Sequence, residues 1–355
     1  MNKTAYYISL LLLGWVMLTP KLSFAGNEQR AGEAGASYLL INPWAASSGW
    51  GGANTALARG HEATFLNVSG TAFIQSTELL FTHTNLFAGA DITLNSFGFS
   101  QKAGESGVIS MSIQSFSYGD IDITTVELPE GGIGTFSPTA SVISLSYAKE
   151  FSNSIYGGLT VKIINEALAD ISASGVAFDA GIQYVTGSEE QIHFGISMKN
   201  VGPTMRFRGD GLSFRGIVPE TEVDLTLEHR SATFELPSLI TIGFGYDIFL
   251  ENESKFTPAV TFTSNSFTRD QFNFGGEYVY RNILSLRAGY IYETGLIPFI
   301  DSEASSATAF TGPSFGLSVM IPLNKEKGRY FSFDYSYRDT NPFMGVHSFG
   351  ARISL

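Results

Sequence analysis

The stretch YFSFDYSYRD, Tyr330 to Asp339, sets Phe331, Phe333, Tyr335 and Tyr337 at every second position, with Ser332, Asp334, Ser336 and Arg338 between them. Successive side chains of a β-strand point to opposite faces, so this segment has one aromatic and one polar face. QIHFGISMKN repeats the pattern, sorting Ile192, Phe194, Ile196 and Met198 against His193, Gly195, Ser197 and Lys199. VAFDAGIQY, FNFGGEYVY and the closing SFGARISL do the same. A chain built from such segments folds as antiparallel β-structure, and the open question is which medium the apolar faces meet.

Length and spacing of the segments answer it. Strands are expected over 78–85, 90–101, 106–118, 139–150, 154–166, 174–186, 190–199, 238–249, 255–265, 271–281, 283–293, 313–323, 328–339 and 346–355, fourteen in all. Most are near the roughly 9–11 residues that cross a bilayer at a tilt, and about twice the usual soluble strand. With both termini in the periplasm, one set of connections is brief: KAGE, FSNS, TGSEE, LENES, RN and NKEKG. The other set holds the long ones, from Gly119 to Pro138, Val201 to Pro237 and Thr294 to Gly312. Short turns at one end and long loops at the other are the asymmetry of an outer-membrane barrel. A soluble sandwich also alternates, but it lacks that asymmetry and has an aliphatic interior. Here Tyr147, Tyr184, Tyr246, Tyr278, Tyr280, Tyr290, Tyr292, Tyr335 and Tyr337 lie on the apolar faces, as interfacial girdles require. The fold class read from these features is all-β, an antiparallel transmembrane β-barrel of about fourteen strands whose aromatic faces look at lipid.

Composition agrees. Lys3 precedes the apolar run AYYISLLLLGWVMLT and small residues stand at Ser23 and Ala25, which reads as a signal peptide over 1–25. Beyond it the longest apolar run is Tyr38 to Ile41, so no helix is expected to span a membrane. There is no cysteine, hence neither a lipoprotein anchor nor a disulfide frame. The net charge of −12 disfavours nucleic-acid binding, which needs a basic footprint.

Residues 26–77 precede the wall (78–355) and lack strand patterning, yet carry Tyr38, Leu39, Leu40, Ile41, Trp44, Trp50 and Phe65. A disordered tail would be polar and poor in aromatics, so this segment is expected to fold inside the barrel as a plug, with glycines where backbones approach closely. Its motifs GWGGANTALA and FLNVSGTA, followed by ELLFTHTNLFAGAD, resemble the opening of the PorV/PorQ family. So do GGLTVKIINEAL, VAFDAGIQY, ISMKNVGPTMRF, ELPSLITIGFGYDI and FDYSYRDTNPFMGVHSFGARISL, in that order over nearly the whole chain. That family consists of FadL-like outer-membrane barrels of the type IX secretion system. Where its members commonly carry Asn-Pro-Ala-Gly, this chain has Asn67, Val68, Ser69 and Gly70, and losing the proline is expected to loosen that turn. The resemblance implies a non-enzymatic component of the bacterial outer membrane, surrounded by its lipid. Such a component binds the C-terminal domains of secreted cargo and hands them from the translocon to the surface attachment machinery. It also leaves open a FadL-like transporter of hydrophobic small molecules or a lipid A-modifying protein.

No catalytic, cofactor or metal site is read from the residues. The histidines His61, His83, His193, His229 and His347 are scattered with no i, i+4 pair, and no G-x-S-x-G elbow supports a hydrolase, since the one such string, GPSFG at Gly312 to Gly316, falls on an expected strand. The stretch MRFRGDGLSFRG stands out in an acidic chain: Arg206, Phe207, Arg208, Leu212, Phe214 and Arg215 form a basic and aromatic patch on a long loop. Arginine and aromatic side chains are typical interface anchors, so this is the candidate surface for cargo or a partner; the alternative is a loop folded over the barrel mouth. Lys162, Asp179, Lys199, Glu277, Arg287, Asp334 and Arg352 are expected to face the lumen and pair there, because Lys or Arg on the lipid face costs about 2–4 kcal/mol at mid-bilayer.

Overall fold

The computed structural model describes residues 27–217, 224–294, 308–324, 328–341 and 343–355. The segment expected as a signal peptide and most of the loop expected between Thr294 and Gly312 lie outside them. The wall consists of β1 (Thr77–Leu86), β2 (Ile92–Ala103), β3 (Gly107–Ser117), β4 (Thr139–Ser152), β5 (Ile155–Leu168), β6 (Ile171–Thr186) and β7 (Ile192–Val201). It continues through β8 (Leu239–Tyr246, resumed past Asp247 as Ile248–Leu250), β9 (Ser254–Asn265), β10 (Gln271–Tyr280), β11 (Leu284–Glu293), β12 (Gly312–Asn324), β13 (Arg329–Arg338) and β14 (Val346–Ser354). Each strand pairs antiparallel with its neighbours in sequence, and β14 closes on β1 with Glu78 opposite Ser354. The fourteen expected segments match one to one; the largest boundary difference is at β6, which begins at Ile171 instead of 174.

The burial pattern is inverted relative to a soluble protein. On β6, Phe178, Ile182 and Tyr184 are exposed, whereas Asp179 and Gln183 between them are buried. On β3, Ile109 and Ile113 are exposed while Ser110 and Ser112 are sealed. Such an exterior is stable only against hydrocarbon, and closing the sheet removes the unpaired edge that lipid cannot satisfy. The same alternation settles YFSFDYSYRD: Phe333 is exposed on the outer face and Ser332, Asp334 and Ser336 are buried inside. Among the described residues no helix is long and apolar enough to cross a membrane, so the strands do the crossing.

The lumen is filled by a hatch, the chain from Asn27 to Ser76, made of short helical turns at Ser37–Leu40, Ala45–Ser48, Ala63–Leu66 and Val68–Phe73. Trp44, Trp50, Phe65 and Leu66 are buried in it. Glycines were expected to serve the hatch itself, but most of the close approaches use glycines of the wall. A β-carbon at Gly195 or Gly243 would strike the backbone of Ala56; at Gly275 it would strike Trp50 and Ala53, and at Gly316 it would strike Gly49. These glycines occupy inward positions on β7, β8, β10 and β12, so the wall thins where the hatch presses against it.

Two expectations need correction. The turn at Asn67 is pinned, not loosened: its side chain accepts from Ser69 N and, at 2.6 Å, from Ser69 Oγ, and donates to Ile182 O of β6 at 3.0 Å. An asparagine that caps its own turn and bonds the wall replaces the rigidity a proline would give. The placement of both termini at one end also fails. Leu355 N bonds Thr77 O at 2.9 Å at the short-turn end, but the hatch begins at the opposite mouth. There Gly35 N donates to Glu235 O at 3.1 Å and the Arg30 guanidinium lies 4.3 Å from the centre of the Phe267 ring. The hatch therefore threads the lumen from the long-loop end to the start of β1.

Candidate functional site

Three features of the interior and the outer mouth define what the barrel can do. The first is a ladder of polar residues around half of the wall. Glu277 on β10 pairs with Arg287 Nε at 2.7 Å, and Arg287 Nη1 donates to Ser318 Oγ at 2.5 Å. Ser318 donates to Asp334 at 2.5 Å, Asp334 lies 3.6 Å from Arg352 Nη2, and Arg352 Nε is 3.9 Å from Glu78 on β1. Six adjacent strands contribute one residue each. The ladder also grips the hatch, because Arg352 pairs with Glu62, whose other oxygen accepts from Ser47 N at 2.6 Å, while Glu78 accepts from His61 N at 2.9 Å. Charge is tolerated in this interior because each group meets an opposite one and further hydrogen bonds.

A second cluster stands where β7 ends and the longest loop begins. Lys162 Nζ is 2.5 Å from Asp179 and donates to Asn200 Oδ1 at 2.8 Å. Asn200 has φ of 58°, donates its backbone N–H to Asp179 at 2.8 Å and its side-chain amide to Pro237 O at 3.1 Å. The bulge between Phe178 and Ala180 in the β6 ladder thus bends the wall and fixes both ends of the loop. Lys199 rests 3.4 Å over the Phe65 ring of the hatch. The expected inward charges are all inside, and all but Lys199, which rests on an aromatic ring, form ion pairs; their partners were not legible, because cross-barrel register is set by strands distant in sequence.

The third feature is the outer mouth. Between the first hatch turn and the wall lies a cavity of about 440 Å³, lined by Tyr38, Ile41, Leu86, Phe116, Phe310 and Arg338 among others. Burial holds the Tyr38 phenol well above its usual range, and the nearby Glu166 carboxylate acts in the same direction. The sequence marked the hatch aromatics but gave no sign of this space.

The six residues of the loop patch divide into two groups. Phe207 turns inward, its ring 5.7 Å from that of Phe234 and against the buried cluster around Met205 and Leu236. The backbone of Arg208 exchanges two 2.8 Å hydrogen bonds with Ser172 of β6, so the chain through Arg206 extends the wall. Leu212, Phe214 and Arg215 belong to an outer hairpin, Ser213–Ile217 paired with Asp224–Glu228. Phe214 stacks on His229 at 4.4 Å, and Arg215 is exposed with Asp224 3.8 Å away. Ile217 and Leu225 are also exposed on this hairpin.

The histidines separate as well. His61, fully buried, has its ring nitrogens 2.6 Å from Ser100 Oγ and 3.1 Å from Ser112 Oγ, toward the short-turn end. Burial pushes its imidazole down to about 3, with the Arg352 charge adding to the effect. His193 meets Asp247 at 3.1 Å, His83 meets Asn95 at 2.8 Å, and His347 meets the Tyr335 hydroxyl at 2.9 Å. Among the described residues no group of histidines and carboxylates has the arrangement of a metal site.

Comparison with solved structures supports the architecture. The chain is similar to a FadL homologue of Pseudomonas aeruginosa, with a TM-score of 0.53 at 12% identity over 88% of this chain and 98% of that one. It is similar to the Pseudomonas putida toluene transporter TodX, with a TM-score of 0.52 at 13% identity over 87% and 96%. The CymD monoaromatic hydrocarbon channel gives a TM-score of 0.50 at 13% identity over 88% and 97%. At such identities the likeness establishes the FadL-like fold alone. No curated protein matches the chain in sequence. The sequence profile of the type IX secretion system membrane protein PorP/SprF family, however, matches residues 132–345, from the first long loop to the turn before β14. A closed barrel with a lipid-facing apolar belt, matched over more than half of its length by that profile, is an outer-membrane protein of the bacterial type IX secretion system and belongs to the PorP/SprF family.

Proposed function

We propose that this protein is a non-enzymatic partner-binding component of the secretion system. On this reading its outer loops hold the C-terminal domains of secreted cargo and pass them from the translocon to the surface attachment machinery. That role is the one implied by the PorV/PorQ resemblance. The observation that carries the reading is the contrast between lumen and rim: the hatch fills the barrel, while the Ser213–Ile217 and Asp224–Glu228 hairpin presents Phe214, Ile217, Leu225 and Arg215 to the outside. Aromatic, aliphatic and arginine side chains on a projecting element are the composition of interface cores. The lipid partner is the bilayer around the belt.

The test replaces Ser213 to Glu228 by a short Gly/Ser linker. Removing Val201 to Ser231 would be a poorer choice, since Arg208 and Met205 belong to the wall. The shortened barrel should assemble and should no longer retain a purified cargo C-terminal domain in a pull-down. Retention at the level of the parent protein would take the hairpin out of the mechanism.

A second reading, transport of a hydrophobic small molecule, is favoured by the outer cavity and by the similar folds of a monoaromatic hydrocarbon channel and a toluene transporter. It requires displacement of the hatch. A lipid A-modifying activity has less support. It needs serine, histidine and carboxylate within reach at the outer leaflet, and among the described residues the histidine with serine partners is the sealed His61.

A further inference from the structure

On β1 to β5 the outward apolar belt stops partway up the wall. Register pairs join Phe81 to Phe97, Phe97 to Ile113, Ile113 to Ile143 and Ile143 to Ile163, an unbroken apolar row. The next outward row toward the long loops joins His83 to Asn95, Asn95 to Ser115, Ser115 to Ser141 and Ser141 to Asn165, and every member is polar. His83 Nδ1 donates to Asn95 Oδ1 at 2.8 Å, and Thr93, Ser117 and Thr139 continue the polar face above them. At this level the inner face changes in the opposite sense. Ser96, Ser112, Ser144 and Lys162 lie inside the lower wall, and above them Leu94, Phe116, Val142 and Ile164 are buried in one cluster with Tyr38. Polar outside and apolar inside is the sorting of a sheet in water, so on this side hydrocarbon ends at the Phe81 row.

The far side of the barrel is different at the same height. Phe272 of β10 and Tyr292 of β11 are register partners, as far in residues above Tyr280 and Leu284 as Asn95 and Ser115 are above Ala103 and Gly107. β11 turns Leu284, Leu286, Ala288, Tyr290 and Tyr292 outward, five apolar rows. Among outward positions, only Leu79 and Phe81 stand between Thr77 and His83 on β1, and only Phe97 and Phe99 stand between Asn95 and Gln101 on β2. At about 3.3 Å per residue and a tilt of about 40°, five rows cover roughly 25 Å of bilayer and two rows roughly 10 Å. The first matches the usual apolar band of an outer-membrane barrel, and the second is less than half of it.

We infer that the barrel thins the outer membrane along β1 and β2, where headgroups and water reach Asn95 and Ser115 from the cell surface and Gln101 from the periplasm. A closed, hydrogen-bonded sheet with a filled lumen is stiffer than lipid, so the bilayer meets the mismatch by compressing. Lipid is the occupant of this face: His83 and Asn95 already serve each other, and the small hydroxyls around them are satisfied by water or headgroups. The inference concerns the wall alone and stands whether or not the hairpin captures cargo.

The chain has no cysteine, so single-cysteine variants can each carry one bimane label. N95C, S115C, Q101C and F272C would be labelled and reconstituted in dioleoylphosphatidylcholine vesicles. Iodide on both sides of the membrane reports contact with water, and lipid brominated on its acyl chains reports contact with hydrocarbon. The N95C, S115C and Q101C labels should be quenched by iodide with constants about threefold or more above that of F272C, as positions outside the apolar band require. Brominated lipid should quench F272C most. Heat-dependent gel mobility verifies that each variant is a folded barrel, and T93C, one row higher, replaces N95C should loss of the His83 contact impair assembly. Brominated-lipid quenching of N95C and S115C equal to that of F272C would show a belt of full height and overturn the inference. Iodide access at N95C combined with lipid quenching at Q101C would show a barrel seated lower in lipid of ordinary thickness, and would overturn it too.

Discussion

Arg352, near the end of the last strand, forms an ion pair with Glu62 of the hatch, 290 residues earlier in the chain. The strand that closes the barrel thus also holds the hatch, and wall and filling are stabilised together. Arg352→Met would leave Glu62 buried beside Asp334 and Glu78 without their shared cation. Breaking one partner of a buried pair costs about 3–5 kcal/mol. Urea unfolding followed by tryptophan fluorescence should show that loss, and the double variant R352M/E62Q should recover part of it. A double variant no more stable than R352M would show that Glu62 is not the partner that matters.

The glycines of the inner wall give a steric prediction. Gly195 and Gly289 have hatch backbone where a side chain would stand, at Ala56 and at Trp50. Gly195→Val and Gly289→Leu should unseat the hatch while leaving the strands able to pair. Planar-bilayer recordings should then show open-channel conductance absent from the parent protein. Gly134→Ala, in the first long loop with only the Ile123 side chain nearby, should conduct no more than the parent. Silent G195V and G289L barrels would mean that the hatch can yield without leaving.

His61 ties stability to pH. Its imidazole is pushed down to about 3 by burial, against roughly 6.5 in an unfolded chain. Between those values the unfolded chain takes up a proton that the folded protein refuses, so stability is fully present above about 6.5 and declines as the pH falls toward 3. From pH 7 to 4.5 the loss from this group is about 2–3 kcal/mol. His61→Gln, which can still bond Ser100, should lose less stability over that interval than the parent. Identical urea midpoint shifts in the two proteins would contradict the assignment.

How far the sequence spoke depends on distance along the chain. Alternation such as Phe331, Phe333, Tyr335 and Tyr337 is a local property, and it gave the strands and their lipid face directly. The inward direction of Asp334, Arg352 and Lys162 followed from the same alternation. Their partners did not, since Asp334 meets Arg352 and Lys162 meets Asn200 only once register is set across the sheet. The hatch was legible as aromatic, unpatterned chain. Its path from the outer mouth to Thr77, and the cavity beside Tyr38, depend on packing that no local pattern encodes. The loop patch was seen as one surface because its residues are adjacent in sequence, yet the wall takes Phe207 inward and leaves Phe214 outside.

The path of the hatch makes a topological prediction. Arg30 pairs with Glu235 at 2.7 Å and stacks on Phe267 at the long-loop end, whereas Thr77 and Leu355 meet at the short-turn end. In an outer-membrane barrel the long loops are extracellular, so Asn27 stands at the cell surface although β1 starts in the periplasm. A short epitope placed immediately before Asn27 should be reached by antibody on intact cells. The same epitope in the turn at Asn153 and Ser154 should be reached only after the outer membrane is permeabilised. Labelling of the Asn153 site alone on intact cells would invert the barrel, and with it the surface assigned to partner binding.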